Sequence, residues 1–178
     1  MPPNQRIIKR KLMMNSRPVI DLPKTNAERW LDVASWLFVT LAFAVALGNY
    51  AALPDTIPTH FNAAGEADGH GSKNTVFLLP IISFLIVAGL IFAARFPHRF
   101  NYPTAITREN AAFEYKKAQV LLRVMSALSS LLMLALTWGI VQAVHSQTDH
   151  LGVWFWILVA AIVIAPMVIM FWRKRQAP

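Results

Sequence analysis

The sequence predicts an all-α membrane protein: a bundle of four transmembrane helices with both termini in the cytoplasm and an ordered extracytoplasmic loop between helices one and two. Three observations carry this reading. Of 178 residues, 56% are hydrophobic and 15% charged, whereas a soluble domain is about 25% charged. The apolar residues gather in four runs of about 20, the length that crosses a bilayer core. The 17 Lys and Arg fall in blocks: seven precede Trp30, six lie from Arg95 to Arg123, and three are Arg173, Lys174 and Arg175, leaving Lys73 alone elsewhere. Basic blocks that skip every second connection follow the positive-inside rule. The net charge of +8 therefore sets orientation, and no nucleic-acid partner is expected. Cysteine is absent, which excludes disulfides, thiol catalysis and Cys-ligated metal.

Residues 1–29 have prolines at 2, 3, 18 and 23 and no sustained apolar period, which predicts a basic cytoplasmic tail near anionic headgroups. Span one, residues 30–52, carries one charge, Asp32, near its cytoplasmic end. Trp30 and Trp36 suit the inner interface and Tyr50 the outer one. Residues 53–74 form the outer loop. Span two, 75–94, holds Pro80 one turn in, where a missing N–H falls among donors that a helix start leaves free. Residues 95–123 are the cytoplasmic connection. Pro97 and Pro103 keep its first part extended, and Thr107 is an N-cap with Glu109 in the first turn. The helix that follows continues without a break into span three, 124–144, so that several turns project into the cytoplasm. Ser126, Ser129, Ser130 and Thr137 mark a helix contact face there. Residues 145–152 are a tight outer turn, and span four, 153–172, ends on the last basic block.

Chemistry-bearing residues gather in the outer loop. His60, Asn62, Glu66, Asp68, His70 and Lys73 are the candidate binding residues. Pro54 and Pro58 stiffen its first limb, while Gly65, Gly69 and Gly71 permit backbone conformations that other residues resist. Residues 57–61 and 70–73 can then pair as a short hairpin, with Ile57 and Phe61 on the bundle and His60 and Asn62 on the other face. No cofactor is expected. A divalent metal is the alternative, with His60, Asp68, His70, His145 and His150 as candidate ligands, although no spacing matches a metal motif. Ser72 lies near His70 without a nucleophile signature around it. No Asp, Glu, Lys or Arg falls at mid-depth of a span, which weighs against a proton-coupled transporter.

The run L-P-x-x-I-P-x-H-F-N-x-x-G-x-x-D-x-x-G-S-K, residues 53–73, resembles the membrane domain known as domain of unknown function 1648. That domain also forms the N-terminal part of SdpI-type immunity proteins of bacteria. Asn101, Tyr102 and Pro103, Ile106 and Thr107, Glu109 and Asn110, and Tyr115 are similar to a second block in stand-alone members. The resemblance covers residues 30–123 and implies a bacterial cytoplasmic-membrane protein. SdpI-type proteins protect a cell from a secreted peptide toxin, and one also holds a repressor at the membrane. This chain departs from them after span three, where no counterpart of their C-terminal half follows.

The expected function is non-enzymatic recognition of a ligand, peptide toxin or partner membrane protein by the outer loop. Asn101, Tyr102, Glu109, Asn110, Glu114 and Tyr115 would serve contact with a cytoplasmic regulator. A metal-assisted membrane enzyme on the outer histidines and an accessory transporter subunit, with or without homo-oligomerisation, are the alternatives.

Overall fold

The computed structural model describes residues 17–146 and 152–172. Expectations that fall on residues 1–16, on the outer turn at 147–151 with Asp149 and His150, and on the basic block at 173–175 lie outside them. Helix α1 spans Asn26–Asn49. The hairpin strands β1, Thr56–Phe61, and β2, Ala67–Ser72, follow. Then come α2, Leu78–Ala93, α3, Ala111–Ser146, and α4, Val153–Trp172. Short 3-10 turns at Tyr50–Ala52, Lys73–Phe77 and Pro97–Arg99 join them.

Among the described residues three segments are long and apolar enough to cross a membrane: Asn26–Ala52, Lys73–Ala93 and Ala111–Ser146. The stretch Val153–Ile169 of α4 is apolar as well. Helix α3 is the axis, with α1, α2 and α4 all packed on it. Its 36 residues rise about 54 Å, well beyond a ~30 Å hydrocarbon core.

The packing is inverted relative to a water-soluble bundle. On α1 the inward seam is Ser35, Val39, Ala42 and Ala46, and on α2 it includes Pro80, Ser83 and Val87. On α3 it includes Ser126, Ser130 and Thr137. The large apolar side chains face outward: Leu37, Leu41 and Leu47 on α1, Phe84, Leu85 and Phe92 on α2, Ile157 and Val168 on α4. Lipid tails solvate leucine as well as another leucine does, so small residues that let backbones approach hold such helices together. In water the same surface would be one continuous apolar patch.

Helix α1 begins at Asn26, four residues before the boundary that hydropathy suggests. Capping sets its start: the Glu28 amide donates to Thr25 Oγ1 at 3.2 Å, and the Thr25 amide donates to Glu28 Oε2 at 2.7 Å, a reciprocal capping box. The segment before it, read from sequence as tail, is attached at two points. Arg17 donates to the carbonyls of His98 and Phe100, and Lys116 donates to the Pro23 carbonyl at 2.7 Å.

Candidate functional site

The hairpin between α1 and α2 is the first site candidate, and its shape comes from two irregularities. Cα partners run Thr56 with Ser72, Ile57 with Gly71, Pro58 with His70, His60 with Gly69 and Phe61 with Ala67. Thr59 and Asp68 are thus left over, one on each strand. A bulge breaks the strict alternation of faces, which is why Ile57 and Pro58 are buried in succession and Thr59 and His60 exposed in succession. The strands approach closely where the register slips. A Cβ on Gly69 would stand 3.0 Å from His60 Cβ, and one on Gly71 would stand 3.1 Å from Thr59 Cγ2.

Asn62 builds the tip. Its Oδ1 accepts from the Ala64 amide at 2.8 Å and the Glu66 amide at 3.0 Å, while its Nδ2 donates to Glu66 Oε2 at 3.0 Å. The Gly65 amide donates to the Asn62 carbonyl, and Gly65 takes φ of 82°. Asn62 and Glu66, expected to bind, are therefore held by the turn itself. Gly65→Ala should destabilise the protein by about 1 kcal/mol, because a Cβ disfavours positive φ. The thermal midpoint in detergent checks this, with Ala64→Gly as the control; an unchanged midpoint refutes the assignment of Gly65.

Lys73 is engaged too, 3.0 Å from Asp55 Oδ1 and over the Tyr50 ring at 5.5 Å. The hairpin is seated by Ile57, which packs with Ala46, Leu53, Val76 and Ile140 against half-buried Phe61 and Phe77. Among the exposed side chains of the hairpin are His60, Asp68 and His70. His60 Nδ1 contacts Asp68 Oδ1 while the His60 side chain stays 72% exposed. In a neutral imidazole, an Nδ1–H donated to aspartate leaves Nε2 as an acceptor. Among the described residues no three His, Asp or Glu side chains converge in a way that could hold a metal ion. His145 contacts the Val141 carbonyl of its own helix at 2.8 Å.

The opposite end of the bundle holds an ionic network that the sequence reading missed. Glu28, 1% exposed, lies 2.9 Å from Lys116 Nζ and 3.3 Å from Arg123 Nη1. Arg123, 3% exposed, reaches Asp32 Oδ1 through Nε at 3.2 Å, and Lys24 holds the other Asp32 oxygen at 2.6 Å. Gln119 donates to the Ala94 carbonyl at 3.1 Å, tying α3 to the end of α2. The signal was present: Thr25 and Glu28 stand at capping-box spacing, and positions 28, 32, 35, 39, 42 and 46 form one helix stripe.

The second block lies beside this network. Asn110 is a turn residue: its Oδ1 accepts from the Thr107 amide at 2.8 Å, and its Nδ2 donates to the Ala105 carbonyl at 2.9 Å. Glu109 is exposed, and a hydrogen bond from Thr107 holds its carboxyl below the ordinary range. Tyr115 is fully buried and packs on Tyr102 with ring centroids 5.7 Å apart. Burial pushes the Tyr102 phenol up to about 12, so it stays protonated and donates to the Pro97 carbonyl at 2.9 Å. Asn101, Tyr102 and Glu114 line a cavity of about 270 Å³ with Phe100, Lys117 and Leu121.

Residues 37–84 match the model of the family described as Domain of unknown function (DUF1648). The resemblance carried by the loop motif holds over these residues. The chain is also similar to an archaeal protein of Archaeoglobus fulgidus that is described as an uncharacterized protein. The two are 28% identical over 161 residues, covering 84% of this chain and 88% of the relative. No solved structure matches the chain. Apolar helices with outward-facing leucines and the family match together describe a membrane protein.

Proposed function

We propose that this chain is a polytopic membrane protein that recognises a peptide or a partner membrane protein on the side of the bilayer opposite its basic residues. Both ends of α1 and α2 would then differ in role: the basic end anchors, and the hairpin end binds. The observation that carries the reading is the exposure of His60, Asp68 and His70 on a hairpin that Ile57 seats in the bundle. A rigid, preorganised surface loses little conformational entropy on binding. The imidazole of His60, oriented by Asp68, can accept from an amide or ammonium of the ligand. The arrangement of Lys and Arg supports the orientation, with hairpin outside and α1 starting inside.

The lack of native cysteine gives a clean test. In intact cells of the native host, a cysteine at His70 should react with a membrane-impermeant maleimide, and one at Thr104 should not. A photo-crosslinker at His70 should then yield a discrete adduct that disappears in His60→Ala, Asp68→Asn. Labelling at Thr104 instead of His70 overturns the orientation. An adduct that persists in the double variant overturns recognition by this face.

A further inference from the structure

We infer that the cavity between the α2–α3 connection and α3 is a headgroup site for a phospholipid bearing a primary amine, with Glu114 taking the ammonium and Lys117 the phosphate. Three observations point there. First, the cavity is amphipathic and small. Its volume of about 270 Å³ is lined by the polar Asn101, Glu114 and Lys117 together with the apolar Phe100, Ala118 and Leu121. Such a volume suits a headgroup better than a drug-sized ligand.

Second, its two charges are unspent. Among the described residues neither Glu114 nor Lys117 has an ion pair or a side-chain hydrogen bond, although the neighbouring Lys116 is bound to Glu28 and Pro23. An acid and a base one helical turn apart, not joined to each other, are complementary to a zwitterion. Third, the cavity lies on the polar side of the membrane boundary. Helices α1 and α3 run in the same direction, and the contacts of Arg123 with Glu28 and Asp32 put residues 28–32 level with residue 123. Trp30, 71% exposed, lies in that layer and suits the membrane interface. Glu114 and Lys117 then stand roughly 9–14 Å toward the polar side at 1.5 Å per residue, with Lys117 at the outer edge of a headgroup layer about 5–8 Å deep and Glu114 just beyond it. Leu121 points the way to the hydrocarbon boundary, where acyl chains begin.

This site is independent of the hairpin reading. Its test is native mass spectrometry of the full chain, delipidated in detergent and titrated with phosphatidylethanolamine or phosphatidylcholine. Phosphatidylethanolamine should bind first and about tenfold more tightly, because the quaternary ammonium cannot donate hydrogen bonds to Glu114. Glu114→Gln should remove that preference, and Lys117→Gln should weaken both lipids while Lys117→Arg restores them. Ala118→Trp, which fills the cavity and keeps both charges in the chain, should block binding while leaving the thermal midpoint of the lipid-free protein within a few degrees. Equal affinity for the two lipids overturns the proposal. Binding of water-soluble glycerophosphoethanolamine as tight as that of the lipid would make the ligand a free metabolite and overturns it as well.

Discussion

Arg123→Met should lower the stability of the protein by about 3 kcal/mol, through the loss of the cation that joins two buried carboxylates. Arg123 is 3% exposed, lies 3.3 Å from Glu28 through Nη1, and lies 3.2 Å from Asp32 through Nε. Methionine matches the volume of its stem, so packing changes little and the effect is electrostatic. The cost of breaking a buried pair runs to about 3–5 kcal/mol because the remaining charge keeps its desolvation penalty. The lower end applies here, since Lys116 still reaches Glu28 and Lys24 still reaches Asp32. Lysine should not rescue. One ammonium cannot replace a planar guanidinium whose Nη1 donates to Glu28 while its Nε side stands 3.2 Å from Asp32. Chemical denaturation in detergent gives the number, and Glu28→Gln added to Arg123→Met should recover part of the loss. A loss under about 1 kcal/mol for Arg123→Met would mean that the carboxylates are solvated.

How much of this could be read from the amino-acid order differs from one region to the next. The spans were legible because hydropathy integrates over about 20 residues and tolerates local error. The hairpin was legible as a hairpin because Pro58 and Gly65 act locally, one on φ and one on the left-handed region. The fate of individual polar groups was not. Asn62 and Glu66 read from sequence as ligand-binding residues, and what only the built turn shows is that Asn62 also accepts from the turn amides and donates to one Glu66 oxygen. Periodicity also could not place the bulges, beside which Thr59 and His60 are exposed in succession. The ionic network was hidden for a different reason. Glu28, Lys116 and Arg123 are separated by up to 95 positions, and each sits at a span end where a charge is unremarkable by composition.

At the other end of the bundle, Ile57→Ala should destabilise the hairpin by about 3 kcal/mol, within the range of about 2–5 for truncating a buried isoleucine. Ile57 is 0% exposed and sits among Ala46, Leu53, Val76 and Ile140. The surroundings have little to fill the void: its cross-strand partner is Gly71, which has no side chain, and Pro58 beside it cannot change φ. The loss should be local. Hydrogen exchange of the β1 and β2 amides should accelerate about a hundredfold, while amides around Arg123 keep their protection. Because the hairpin and the ionic network share no partner residue, the double variant Ile57→Ala, Arg123→Met should lose the sum of the two single effects within about 0.5 kcal/mol. A coupling of 1 kcal/mol or more between them would carry a different message. It would mean that α1 and α3 have two arrangements which both ends bias, the physical requirement for passing an event at the hairpin to the basic end.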